Sequence, residues 1–123
     1  MTTSRFHLTL PADTAHLQLV RLTVAALASD TLSVEEIEDA KVAVEELSAL
    51  AMKPTDAEAD LHLEFLVSSD SLAVHGRRDI GAGEHLVAHD FLSTILEAVC
   101  DEHEISTAPG IGTFTFVKNA RGR

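Results

Sequence analysis

The stretch SVEEIEDAKVAVEELSALAM, residues 33 to 52, decides the fold because it predicts one long helix with a marked start and a one-sided apolar stripe. Ser33, followed three residues later by Glu36, forms the pattern of a capping box, in which each side chain bonds the main chain of the other residue. The stripe recurs every three or four residues and stops before Pro54. It consists of Ile37, Ala40, Val44, Leu47 and Ala51.

The segments before this helix predict a strand and a shorter helix. RFHLTL, residues 5 to 10, alternates apolar and polar side chains, as a half-buried strand does. Residues 15 to 28 place apolar side chains three or four apart, and Asp13 or Thr14 can cap the helix that this spacing predicts.

The segments after the long helix predict a hairpin, a loop, a third helix and a closing hairpin. Residues 61 to 74 alternate around the turn SSDS, which favours two paired strands. GRRDIGAGEH, residues 76 to 85, has no period and predicts a glycine-rich loop. Residues 91 to 99 have helical spacing, and two alternating segments, 102 to 105 and 112 to 118, predict the last strands.

This order of elements favours an α+β fold, a two-layer sandwich in which helices cover one face of a mixed, mostly antiparallel sheet. At 123 residues the chain is long enough for one core, so we expect a single domain over residues 1 to 123. The basic tail KNARGR, residues 118 to 123, is predicted to be loose.

Charge and composition limit the classes of partner and compartment. The net charge of -11 opposes binding to nucleic acid or to an anionic membrane, and fits either a basic protein partner or a role in solubility alone. The single cysteine, Cys100, excludes an intrachain disulfide. Since the sequence also lacks a secretory h-region and a membrane-spanning apolar run, we expect a cytoplasmic protein.

Two adjacent glutamates in the long helix have different neighbours on a helical wheel. Glu45 shares the polar side with Glu38 and Ser48, where Lys41 can pair with it weakly. Glu46 lies on a second apolar flank, formed by Val42, Ala43, Ala49 and Leu50. A carboxylate that is partly desolvated there suits a general base, although a carboxylate that only reaches solvent is the simpler interpretation.

Two further motifs are weaker candidates for a site. DIGAG, residues 79 to 83, has two glycines that allow close approach of a ligand, but any glycine-rich loop after a hairpin can have this pattern. His85 and His89 are spaced as a metal pair on one helical face, without a third ligand at suitable spacing. No hydrolase or nucleic-acid motif is present.

With these segments identified, the chain resembles the anti-sigma factor serine kinases, the small single-domain branch of the histidine-kinase-like ATPase (GHKL) superfamily. The resemblance covers nearly the whole chain. It is strongest in VEEIEDAKVAVEE, residues 34 to 46, and in ILEAVCDEHEI followed by GTFTFVK. It implies the same histidine-kinase-like ATPase fold for residues 1 to 123.

The resemblance also implies roles for residues of the long helix and of the DIGAG motif. Glu46 matches the general base, and Leu50 takes the place of an asparagine that holds magnesium in the family. Asp79, Gly81 and Gly83 match the adenine-binding loop. That match requires one inserted residue, such as a bulge at Gly76, because an ungapped count from Leu72 ends on Arg78.

Further positions implied by the resemblance lie near the end of the chain. Thr113 matches a threonine close to the adenine-binding aspartate. Asp90 and Leu92 replace two lid glycines whose main chain approaches the phosphates in the family. Leucine has no oxygen for a hard cation, and an aspartate repels phosphate, so the resemblance implies a weakened or lost nucleotide site without a metal.

The function that follows from the resemblance is that of a degenerate, anti-sigma-factor-like binding protein. It would sequester a sigma factor or related regulator and be countered by an anti-anti-sigma (STAS-type) partner, and the resemblance also allows a homodimer. No cofactor is expected. The alternative is an active ATP-dependent serine protein kinase using ATP and magnesium, and a metal-dependent enzyme at His85 and His89 is a third hypothesis.

Overall fold

In a computed structural model of the protein, residues 2 to 121 are described, and they form a five-stranded sheet with a layer of three helices. The strands are β1 (Ser4–Leu10), β2 (Leu61–Val67), β3 (Ser71–Asp79), β4 (Glu102–Ala108) and β5 (Ile111–Asn119). The helices are α1 (Leu17–Ala28), which follows a single 3-10 turn (Thr14–His16), α2 (Val34–Met52) and α3 (Asp90–Val99). The predicted α+β two-layer sandwich is confirmed.

The sheet has the strand order β1-β2-β3-β5-β4, and each neighbouring pair is antiparallel. Strands β2 and β3 form the predicted first hairpin, and β4 and β5 form the closing one. The predicted mostly antiparallel sheet is therefore antiparallel throughout its five strands. The two helices between β1 and β2 and the single helix before β4 supply the covering layer.

The core lies between the helices and one face of the sheet, because side chains alternate between the two faces of a strand. The largest buried side chains are aromatic and come from β2 and β5: Phe65, Phe114 and Phe116. Helix α2 contacts both α1 and α3, so it occupies the middle of the helix layer. Burying each large apolar side chain contributes about 2 kcal/mol of transfer free energy.

The predicted capping box begins α2. The Ser33 N–H donates to Glu36 Oε1 over 2.8 Å, and the Glu36 N–H donates to Ser33 Oγ over 3.2 Å. At the preceding helical turn, Asp13 Oδ1 accepts from the Ala15 N–H. The start of α2 is thus determined by its capping box, whereas Asp13 caps only the 3-10 turn and α1 itself begins after His16 without a side-chain cap.

Strand β3 continues to Asp79, so the prediction of a loop beginning at residue 76 was wrong. Gly76 is paired in unbroken register with Leu63 on β2 and Phe114 on β5, and there is no bulge. A Cβ atom on Gly76 would lie 2.2 Å from the Phe114 ring, so glycine is needed for that ring to cross β3. Without a bulge, Arg78 faces the helices and Asp79 faces away from them.

The C-terminal segment is held as far as Arg121, and the prediction of a loose tail was wrong for residues 118 to 121. Lys118 belongs to β5, is buried, and pairs with Asp39 of α2 over 3.0 Å. The Arg121 N–H donates to Glu36 Oε2 over 2.9 Å. The last two residues of the predicted tail, 122 and 123, lie outside the described residues.

Candidate functional site

The two adjacent glutamates of α2 do have different surroundings, but Glu45 is not paired as predicted. Its Oε1 lies 2.8 Å from Nη1 of Arg21 on α1, while Lys41 pairs with Glu38 instead. Ser48, expected on the polar side, is fully buried, and its Oγ has no hydrogen-bond partner within residues 2 to 121. Packing of α2 between two other helices leaves it less polar surface than an isolated wheel suggests.

Glu46 is half-buried on α2. Within the described range, its carboxylate makes no ion pair and no hydrogen bond. Leu50, one turn later, is 4% exposed and belongs to the core. Where the resemblance implies an asparagine, this chain has an aliphatic side chain that packs against other apolar groups and has no oxygen for a hard cation.

Arg78 occupies the helix-facing position at the end of β3, and its guanidinium is enclosed by main-chain carbonyl groups. Nη1 donates to the Ala51 oxygen over 3.1 Å and to the Pro54 oxygen over 2.6 Å. Nη2 and Nε donate over 3.0 Å to the oxygens of Ala57 and Ala59. The side chain, 4% exposed, thus satisfies carbonyls at the end of α2 and in the following loop.

Asp79 and Thr113 lie on the opposite face of the sheet from Glu46. Asp79 Oδ1 is 3.7 Å from Nη2 of Arg77, and both side chains are largely exposed. Thr113 pairs in register with Arg77 and so shares that open face. A ligand seated against α2 would be separated from both side chains by the sheet itself.

The DIGAG loop is organised by Glu84. Its Oε1 accepts from the Gly81 N–H over 2.8 Å, and its Oε2 accepts from the Thr55 N–H over 2.9 Å. These main-chain bonds, that to Gly81 above all, hold the pKa of Glu84 below its ordinary value. A Cβ on Gly81 would lie 2.7 Å from Asp56, whereas Gly83 has open space around it. Residue 81 must therefore be a glycine because two loops pack closely against each other there.

Asp90, Leu92 and His89 have structural roles at the start of α3, and His85 lies in the exposed loop before it. Asp90 is the first residue of α3, and Leu92 is buried in the core. His89 Nδ1 accepts from the Leu92 N–H over 3.0 Å and so caps the helix. Among residues 2 to 121, no group of three or more His, Cys, Asp or Glu side chains is arranged to hold a metal ion.

The positions expected to form one site are consequently divided among three regions. Glu46 lies in the helix layer, Gly81 and Gly83 lie in a loop, and Asp79 and Thr113 lie on the open face of the sheet. Only Thr113 lines any of the three main concavities found on the described residues.

A groove between α1 and α2 is one concavity that the sequence analysis did not predict. It has a volume of about 320 Å³, and it exposes the apolar side chains Leu22 (55%) and Val42 (41%). Its remaining lining is polar: Gln18, Arg21, Glu38, Lys41 and Glu45. The signal was present in Leu22 and Val42, which are apolar but lie off the core-facing stripes of their helices.

The fold and these surfaces define a small two-layer α+β protein with an interhelical groove and an open sheet face. Comparison with protein-family models and with curated proteins found no match. None of the helices described between residues 2 and 121 has the length and apolar character needed to cross a membrane.

Proposed function

We propose that this chain is a regulatory binding protein of the anti-sigma-factor type that acts in the cytoplasm without a working nucleotide site. Its target is a sigma factor or a related regulator, and an anti-anti-sigma (STAS-type) protein releases that target. The roles come from the resemblance in residues 34 to 46 and in the last helix and hairpin.

The observation that supports binding over phosphoryl transfer is the buried guanidinium of Arg78. Phosphoryl transfer depends on positioning and on a metal that neutralises developing charge. At the end of β3, the helix-facing position holds a cation already committed to four carbonyl groups, and Leu50 removes the metal ligand. Glu46 would then remain as a carboxylate without a metal or an adenine-binding aspartate on its side of the sheet.

The α1–α2 groove is the surface best suited to the target. Helix α2 carries six carboxylates and one lysine. Glu36 is buried and Asp39 pairs with Lys118, and the other four carboxylates leave the outer side of α2 acidic, which favours a basic partner. Leu22 and Val42 offer apolar contact in the groove, where Glu38 and Glu45 are balanced by Lys41 and Arg21. The ion pairs Arg21–Glu45 and Lys41–Glu38 are partly exposed and exchangeable at little free-energy cost. An amphipathic helix with basic flanks has the chemistry to bind there.

The test combines nucleotide binding with a groove variant. We expect calorimetric titration of ATP with magnesium to give no binding in the micromolar range. We also expect the double variant Leu22→Ser and Val42→Ser to lose target affinity by at least about tenfold, since interface truncations of 1–2 kcal/mol are common. The matched control is Val87→Ser, because Val87 is also exposed and lies outside the groove. Micromolar affinity for ATP would instead favour the serine kinase.

A further inference from the structure

The open face of the sheet, opposite the helices, has a concavity of about 500 Å³ that crosses β1, β2, β3 and β5. Hydrogen-bond donors dominate its lining on β2, β3 and β5: His62, His75, Arg77, Thr113 and Thr115. Three of the seven histidines of the chain, His7, His62 and His75, line this one surface. Such a cluster of hydrogen-bond donors and histidines is unexpected on a chain whose net charge is -11.

Strand register places four of these donors at the corners of a small square. Arg77 lies opposite Thr113, and His75 lies opposite Thr115. Directly opposed Cβ atoms are about 5 Å apart, and residues two apart along a strand are separated by about 7 Å. Within residues 2 to 121, His75, Thr113 and Thr115 make no side-chain hydrogen bond. One ligand group above the square can therefore accept from all four side chains.

The single carboxylate in the lining is already compensated. Glu64 Oε2 lies 3.1 Å from Nε2 of His7 and 3.5 Å from Nε of Arg5. On the other side of Glu64, the β3 neighbour in register is His75. Across the sheet, His62 Nδ1 lies 3.1 Å from Thr9 Oγ1, which orients its ring.

Protonation of the histidines reverses the charge of the whole face. The charged groups on it, strand by strand, are Arg5 on β1, Glu64 on β2, Arg77 and Asp79 on β3, and Glu102 and Glu104 on β4; β5 contributes none. With neutral histidines, four carboxylates outnumber two arginines. With His7, His62 and His75 charged, five cations outnumber four carboxylates. Histidine is the side chain type that can change its charge within the physiological pH range.

We propose that this concavity is a binding site for the tetrahedral oxyanion of a small phosphorylated or sulfated ligand, and that it fills as its histidines become protonated. The hydroxyls of Thr113 and Thr115 and the guanidinium of Arg77 supply donors at any pH, and His62 and His75 add charge in acid. The volume suits a small molecule. The site lies on the opposite side of the sheet from the α1–α2 groove and does not depend on the proposed function.

The probe for this site is sulfate, which keeps its double charge between pH 5 and 8, so that any pH dependence belongs to the protein. Sulfate is titrated into the full chain at pH 5.5 and 7.5, at constant ionic strength, with amide chemical shifts as the readout. We expect at least about tenfold tighter binding at pH 5.5, since tenfold corresponds to 1.4 kcal/mol and two added charges can supply that. The shifts should be largest on β3 and β5.

Variants separate the site from general electrostatics. His75→Gln should remove part of the pH dependence, since His62 still gains its charge in acid, whereas His85→Gln, in an exposed loop outside the concavity, should leave it unchanged. Thr113→Val with Thr115→Val should weaken binding at both pH values. Equal affinity at pH 5.5 and 7.5, or equal effects of the two histidine variants, would overturn the proposal. A doubling of mass in acid by sedimentation would also overturn it, in favour of contact between two copies.

Discussion

Arg78 on β3 donates a hydrogen bond of 3.1 Å from Nη1 to the carbonyl oxygen of Ala51, in the last turn of α2. Three further bonds, to the carbonyl oxygens of Pro54, Ala57 and Ala59, connect the same side chain to the loop that follows the central helix. The last carbonyls of a helix have no partner within the helix, and here a side chain from the sheet supplies one. The same guanidinium occupies the helix-facing place at the end of β3.

Replacing Arg78 with methionine, which has a similar reach but no donors, should destabilise the fold strongly. Four buried or half-buried carbonyls would lose a charged donor, and we expect a loss of about 3 kcal/mol or more in the free energy of unfolding. The measurement is urea denaturation. Arg77→Met is the control, because Arg77 is its exposed neighbour on the other face, and a change of about 0.5 kcal/mol or less is expected there. Similar losses for both variants would contradict this account of Arg78.

Two serines of α2 should respond to alanine in opposite directions. Ser48 is fully buried and its Oγ has no partner among the described residues, so Ser48→Ala removes a desolvated hydroxyl and should stabilise the fold by about 1 kcal/mol. Ser33 forms the capping box, so Ser33→Ala should destabilise it by about 1 kcal/mol. Thermal unfolding of both variants tests the pair. Destabilisation by Ser48→Ala would show that its hydroxyl has a partner.

The two residues of the Lys118–Asp39 ion pair should differ in how much their replacement lowers the free energy of unfolding. The Lys118 side chain is 6% exposed and that of Asp39 is 42% exposed. Asp39→Ala leaves a buried ammonium without a partner and should lower the free energy of unfolding by about 2–3 kcal/mol. Lys118→Met leaves a carboxylate that water can reach, and should lower it by about 1 kcal/mol or less. The reverse order in chemical denaturation would be inconsistent with this burial.

Glu84 should make the free energy of unfolding depend on pH in the acidic range. Its pKa is lowered from 4.5, mainly by the Gly81 N–H, so the unfolded chain binds this proton more readily than the folded one. Its contribution is present above the unfolded pKa and is lost as the pH falls through the lower folded value. Denaturation midpoints between pH 6 and 3 should therefore fall less steeply in Glu84→Gln than in the wild type. Glu58→Gln, in the nearby loop, serves as the control and should keep the wild-type slope.

Local patterns were sufficient to predict the fold class because strand alternation, helical spacing and the Ser33–Glu36 capping box depend on nearby residues. The end of β3 was mispredicted because two of its core-facing positions are Gly76 and Arg78. Gly76 is small because the Phe114 ring, from a distant strand, crosses it. Arg78 is charged because its partners are carbonyls rather than apolar side chains. Neither reason is visible along β3 itself.

The sequence could indicate which residue types the candidate sites contain, but not which side chains lie next to each other. The pairing of Glu45 with Arg21 depends on how α1 packs against α2, so a helical wheel of α2 alone cannot predict it. The separation of Asp79 from Glu46 depends on a single residue of register in β3. Likewise, the histidines of the open face are far apart in the sequence and meet only through strand pairing.

The affinity of the purified chain for each sigma factor of the same cell, in buffer without nucleotide, tests the proposed binding function most directly. We expect at least one sigma factor to bind with a Kd below about 1 μM. We also expect ATP with magnesium to leave this value unchanged and the Leu22→Ser, Val42→Ser variant to raise it at least about tenfold. Binding to none of them, or binding that requires ATP, would contradict the account.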